Sequence, residues 1–156
     1  MNDKKFEIKV KSFDELDVYE LYEILKLREE VFCVEQDCPY VDCDRKDFKA
    51  LHLQILCGGE IAAYTRLLPA GVSYENEASI GRVIVREKYR KNKLGYMLMK
   101  ESVKAVRDIL EEERIRISAQ HHLLNFYSNL GFSPVGDIYL EDGIPHIAMV
   151  MDIEKE

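Results

Sequence analysis

The segment from Ser79 to Gly95 constrains this chain more than any other. A β-prone run, Ser79 to Val85, enters a turn holding five Lys or Arg residues and one Glu between Arg86 and Lys93, and a helical apolar pattern begins at Leu94. The first amides of such a helix have no partner within it and lie at its positive end, so backbone alone can hold a diphosphate there. In a chain of formal net charge -7, this local positive charge points to a small anion as the partner.

The remaining composition narrows the setting. A length of 156 residues suits one domain spanning 1–156, and 47% hydrophobic with 33% charged residues is an ordinary soluble composition. No apolar run nears the roughly 20 residues of a membrane-spanning helix, and Asp3 and Glu7 do not fit a secretory signal, so a cytoplasmic protein is expected. A pI near 5.2 argues against nucleic acid or an acidic membrane as partner. Cys33, Cys38, Cys43 and Cys57 lack a C-x-x-C pair, which favours reduced thiols and no metal. Asp42, Asp44 and Asp47 resemble a calcium loop only superficially, because Lys46 stands at a ligand position and the glycine is missing. They read as a solvated acidic turn that helps shape a pocket.

Along the chain, Phe6 to Val10 alternates as a strand, and Ser12 with Glu15 forms a capping box that opens a helix running to about Phe32. Val18, Leu21, Tyr22, Leu25 and Phe32 mark its expected buried face. Leu51 to Cys57 and Ile61 to Leu68 form a hairpin about Gly58-Gly59, and Ser79 to Val85 is a fourth strand. A helix with Leu94, Leu98, Ala105 and Ile109 on one face follows, then a strand Ile115 to Ser118 and a helix His122 to Leu130 closed by Gly131. Pro134 to Tyr139 and His146 to Ile153 are the last strands. The order β-α-β-β-β-α-β-α-β-β predicts an α/β chain of the α+β kind, with a central mixed sheet of about seven strands and helices on both faces.

These residues resemble the GNAT-type N-acetyltransferases, and the likeness spans essentially the whole chain. Val85 to Gly95 is similar to the family's V-x-P-x-Y-[QR]-G-x-G-x-G motif, and Tyr127-Ser128-Asn129-Leu130-Gly131-Phe132 to its Y-x-x-x-G-F motif. Val34-Glu35-Gln36, Cys38-Pro39-Tyr40, Ala119-Gln120, Asn125-Phe126-Tyr127 and Glu141 to His146 resemble the ElaA-like branch. Glu87, Lys91 and Lys93 depart from the motif, standing where many members have proline or glycine, and Gly95 is what remains of its glycines.

The resemblance implies acetyl transfer from acetyl-CoA to an amine. Val83, Ile84 and Val85 would offer backbone to the pantetheine arm; Arg90, Lys91, Asn92, Lys93, Leu94, Gly95 and Tyr96 would cradle the diphosphate; Gln120 would also meet the donor. Tyr127 is expected to be the acid that protonates the leaving thiolate, since a phenol keeps its proton at neutral pH. For the base, Ile115 occupies the strand position where some members carry Glu, leaving His146 first and His122, His52 and Glu35 behind it. Arg28, Glu35, Gln36 and Tyr40 are the acceptor candidates, although pairing with Glu35 or Asp42 also accounts for Arg28. Two other readings compete: an acyl-homoserine-lactone synthase, disfavoured by the absence of Trp, the short length and the second motif, and a non-catalytic CoA-binding or partner-binding module. Exposed sheet edges of this kind also make a homodimer a reasonable expectation.

Overall fold

The structure is a computed structural model that describes residues 5–154, with only the backbone of Asn92 included. Seven strands and three α-helices follow the expected order: β1 (Phe6–Ser12), α1 (Val18–Arg28), β2 (Leu51–Cys57), β3 (Glu60–Leu68), β4 (Ser79–Val85), α2 (Leu94–Asp108), β5 (Arg114–Gln120), α3 (Leu124–Asn129), β6 (Ser133–Glu141) and β7 (Ile144–Asp152). Strands β1-β2-β3-β4 form one antiparallel sheet and β5-β7-β6 another. Among the described residues a parallel bridge, Ala78 to Ile115, joins the two.

Turn chemistry accounts for both tight hairpins. Gly58 and Gly59, at φ 59° and 82°, connect β2 to β3, and Asp142 and Gly143, at φ 51° and 77°, connect β6 to β7. Two successive left-handed residues give a turn whose twist matches that of the flanking strands. These turns fix the registers Cys57↔Glu60 and Glu141↔Ile144.

Helices cover both faces of the first sheet. On one, Ile24, Leu27 and Val31 pack with Ile61, Tyr64 and Ile84. On the other, Leu94, Leu98, Met99 and Val106 meet Leu53, Ile55, Leu67 and Ile115. Burying each of these large side chains contributes roughly 1.5–3 kcal/mol, which is why α2 lies flat on the sheet. The buried hydroxyls of Thr65 and Ser102 satisfy each other across that contact at 2.7 Å. Among the described residues no helix is long and apolar enough to cross a membrane.

The first helix departs from expectation. Ser12 and Glu15 do form a capping box, but it closes a single 3-10 turn; α1 opens one turn later on a second box, Asp17 with Glu20. Its buried seam is Ile24, Leu27, Arg28 and Val31, while Val18 and Tyr22 are exposed. The inward face therefore includes an arginine, Arg28, fully buried. Past Arg28 the helix widens, with Gln36 N–H donating to the Val31 carbonyl and Cys38 N–H to that of Cys33. Ile109, expected on the buried face of α2, follows its last turn and is exposed.

Candidate active site

Strands β4 and β5 start side by side and then part. Ala78 N–H donates to the Arg114 carbonyl at 2.9 Å, and Arg116 N–H donates to the Ala78 carbonyl at 2.8 Å. Beyond this point β4 pairs with β3 and β5 with β7. A bulge in β4 adds to the divergence: the register slips between Tyr64↔Ile84 and Arg66↔Gly81, and Arg82 takes φ 50°. The gap opens into a cavity of about 660 Å³, with Ile80 and Val83 on one wall and Ile117, Ser118 and Gln120 on the other.

At the far end of β4 lies the start of α2. Where α1 closes its first turn with carboxylates, α2 has Lys93 at its cap in the left-handed conformation, no side-chain cap and no acidic residue in the first turn. Among the described residues no side chain takes up its leading amides, which are thus left as donors. The surrounding cations divide. Arg86 is hydrogen-bonded to the Ile61 carbonyl and faces Glu30 and Glu60; Lys88 meets Glu60 at 2.6 Å; Arg90 bonds the Val85 carbonyl and meets Glu35 at 2.6 Å. Lys91 and Lys93 are exposed and meet no carboxylate among the described residues, so they carry the turn's uncompensated charge.

Several expected donor contacts are available only as backbone. The Ile84 and Leu94 side chains are buried in the two cores. The side chain of Asn92 lies outside the described residues. Tyr96 donates to the Asn129 carbonyl and so ties α2 to α3. A Cβ at Gly95 would meet the Phe126 ring at 3.5 Å and Val85 at 3.8 Å, ordinary contacts that point into the protein. The space at Gly95 therefore faces α3, and the backbone amides remain the feature suited to a phosphate.

Tyr127 reaches the cavity from α3. Its ring is held edge-on between Phe126 and Phe132, at centroid distances of 5.1 and 6.0 Å. Burial pushes its phenol up to about 12. No hydrogen-bond partner for its hydroxyl occurs among the described residues, leaving a protonated donor that the fold itself does not use.

Glu35, Gln36 and Tyr40, from the widened end of the first helix and the loop after it, line the same cavity, as do His122 and His146. Three expectations are corrected here. Arg28 is fully buried away from the cavity lining, bound to Asp42 at 2.6 Å and Asp47 at 2.8 Å, so it is already saturated by the protein. His52 is likewise buried, between the Tyr64 hydroxyl and the Asp47 carbonyl, and burial lowers its affinity for a proton. The three aspartates are no solvated turn either: Asp42 and Asp47 are buried, and with Asp44 they bind Arg28, Arg66 and Arg82. This charge cluster fastens the loop to β3 and to the β4 bulge. All four cysteines are free.

A family description, "Acetyltransferase (GNAT) domain", matches residues 47–153. Protein ElaA of Escherichia coli K12 is 42% identical over 141 residues, covering 89% of this chain and 92% of ElaA. The chain belongs to the GNAT acetyltransferase family. The crystal structure of E. coli ElaA superposes with a TM-score of 0.88 at 38% identity, covering 95% of this chain and all of that one. An acyl-CoA N-acyltransferase from Pseudomonas aeruginosa gives 0.89 at 38%, with 94% and 99% covered. The acyl-homoserine lactone synthase BjaI gives 0.79 at 19%, with 97% of this chain and 85% of that one, a likeness of fold alone.

As a GNAT acyltransferase, this chain draws on an acyl-CoA donor, and the uncapped α2 amides beside Lys91 and Lys93 suit its phosphates. The site also holds groups that sequence reasoning missed. Ser118 Oγ hydrogen-bonds the Tyr139 hydroxyl and lies 3.2 Å from Glu141 Oε1. Glu141 Oε2 lies 3.3 Å from His146 Nε2, and the His146 ring stacks on Tyr139. Only the cross-strand register, with Tyr139 opposite His146, shows these residues to be neighbours; the resemblance of Glu141 to His146 as one run was the available signal.

Proposed function

We propose that this GNAT protein is an acetyl-CoA-dependent N-acetyltransferase that acts on a primary amine of a small molecule or peptide, by direct attack within a ternary complex. The observation that carries the reading is the cavity between the parted β4 and β5 edges, lined by Arg90 of the cationic turn and by Tyr127, whose hydroxyl has no partner among the described residues, with the uncapped start of α2 following that same turn. Acetyl-CoA supplies the activated acyl group. Backbone of Val83, Ile84 and Val85 lines its path, Gln120 stands opposite, and Arg90 to Tyr96 form the phosphate end.

Tyr127 acts as the acid. A phenol held near 12 keeps its proton through the neutral range and donates to the thiolate as that charge develops. His146 stands at the acceptor end with Nδ1 2.7 Å from the Ile144 carbonyl, which fixes the Nδ1–H tautomer and leaves Nε2 to exchange a proton. Glu35, Gln36 and Tyr40 form the acceptor wall. Calorimetry with acetyl-CoA, CoA and S-adenosylmethionine, followed by thiol release in an amine library, tests the assignment. Tight binding of the first two with turnover is expected; preference for S-adenosylmethionine, or binding without turnover, would refute it.

A further inference from the structure

The geometry points to Glu141 as the residue that receives the acceptor's ammonium group and takes its proton, making a cationic primary amine the substrate class. The inference rests on the N-acetyltransferase reading and deepens it. Glu141 sits at the β6–β7 turn, half-exposed and lining the cavity that Tyr127 also lines. Each of its oxygens has a fixed neighbour, Oε1 facing Ser118 and Oε2 facing His146 Nε2. Tyr139, bonded to Ser118 and stacked on His146, braces both.

The proton inventory of this cluster gives it direction. With Nδ1–H committed to the Ile144 carbonyl, the contact between Nε2 and Glu141 is attractive only when a proton lies between them. A proton that reaches Glu141 therefore has a second station on His146. In the reaction, R–NH3+ gives one proton to Glu141, from which it passes to His146 and then solvent. The freed nitrogen lone pair forms the C–N bond as the C–S bond breaks. The second proton lost from nitrogen balances the one delivered to the thiolate through Tyr127.

The charge of the cavity agrees. Glu35 is paired with Arg90, and Asp44 with Arg66 and Arg82. Glu141 and Asp142 meet no arginine or lysine among the described residues, against one lysine, Lys46, that bonds the Ser73 hydroxyl. Other titratable groups on this cavity include Cys38, whose thiol faces the Asp142 carbonyl, Tyr40, His122 and Tyr74, whose phenol is raised by burial first and then by Tyr139, with Arg116 over its ring opposing and Glu141 adding to the rise.

Acetyl-CoA calorimetry and wild-type thiol release with 1,4-diaminobutane, amino-acid amides and short peptides report on the parent reading; failure there removes both. Given turnover, Glu141→Gln, isosteric and half-exposed, is expected to lower kcat/KM about 10²-fold at pH 7 with acetyl-CoA affinity unchanged. The deficit should shrink to severalfold near pH 10, where roughly a quarter of an amine of pKa ~10.4 arrives deprotonated, against well under ~0.1% at pH 7. Ser118→Ala and Tyr139→Phe, which keep the carboxylate but loosen it, should lose about 3- to 10-fold, a fraction of the contribution of a positioned base. A Glu141→Gln deficit of the same size at every pH, no deficit at pH 7, or faster reaction of free amino acids than of their amides would overturn the inference while leaving the N-acetyltransferase standing.

Discussion

Replacing Arg28 with Met tests whether the buried charge cluster holds the acceptor loop. The Arg28 guanidinium is fully enclosed, with Nε 2.6 Å from Asp42, Nη1 2.8 Å from Asp47, and Nη2 3.3 Å from both the Asp42 carbonyl and Asp47 Oδ2. Methionine keeps much of the length but removes the charge, turning three arginines against three aspartates into two against three. Breaking a buried pair by removing one partner costs about 3–5 kcal/mol. The low end applies here, because Asp42 keeps Arg82 at 2.7 Å and Asp47 keeps Arg66 at 3.2 Å. At ~2–4 °C per kcal/mol for a chain of this size, a loss of about 3 kcal/mol lowers Tm by ~6–12 °C at pH 7, read by circular dichroism. Acid should close the gap. Burial pushes Asp47 up, yet Arg28 and Arg66 hold its carboxyl below the usual value of 3.8, and Arg66 and Arg82 do the same for Asp44. Carboxyls depressed in the folded state contribute stability that is present above that value and lost as pH falls through their lower folded values. The difference between the two proteins should therefore be full at pH 5–8 and narrow below about 3.8. A variant melting within ~2 °C of wild type at pH 7, where the cluster predicts several times that, would refute the clamp.

Tyr127→Phe should lower kcat by ~10²–10⁴ while leaving the acetyl-CoA dissociation constant unchanged, and an unaltered rate would remove the acid role. Because burial holds this phenol near 12, the wild-type kcat should show no fall on its account at pH 10. Lys91→Gln with Lys93→Asn, chosen because Asn tolerates the left-handed φ of 54°, should weaken acetyl-CoA binding about 3- to 30-fold at low salt, from ~0.3–1 kcal/mol per charge near a helix terminus. The effect should shrink at high salt, and calorimetry at two ionic strengths reads it. Gly95→Ala adds a Cβ in ordinary contact with Phe126 and Val85, so thermal melts should show stability equal to wild type or up to about 1 kcal/mol higher, with acetyl-CoA affinity retained. Destabilisation would mean the packing against α3 is tighter than these distances indicate.

Local pattern revealed what local energetics decide. The runs Leu51–Cys57 and Ser79–Val85 are strands with the bounds their sequence suggests, because β-branched and apolar residues there are bracketed by turn residues and buried by one sheet. The α2 stripe is equally plain, since Leu94 and Leu98 alternate with exposed charge. The first helix misled because two apolar faces compete in its sequence. The one that won contains Arg28, whose burial is favourable only with Asp42 and Asp47 on a loop 14 and 19 residues away. Sequence reasoning offers Asp42 as a partner for Arg28 but not Asp47, and reading the three aspartates without their arginines turned a buried ionic clamp into an apparently solvated acidic turn.

The two ends of the groove differ in how far a sequence can show them, and the difference is chemical. The proposed phosphate end is made of peptide amides, which any residue supplies, so Lys91 and Lys93 can replace glycines without removing a donor; the element order of strand, turn and uncapped helix is what points to it. The proposed acceptor end is made of side chains whose proximity is set by register. Ser118 on β5, Glu141 beside the β6–β7 turn and His146 on β7 meet because Gln120 pairs with His146 and Glu141 with Ile144. A one-residue slip of β7 would turn His146 to the other face and dissolve the cluster. On the proposed assignment the donor end can therefore persist under wide sequence change, whereas acceptor choice depends on a few contacts anchored by the β6–β7 turn and the Arg28 clamp. It follows that substitutions shifting acceptor preference should concentrate at Ser118, Tyr139, Glu141 and the loop bearing Tyr40, and leave the affinity for acetyl-CoA largely untouched.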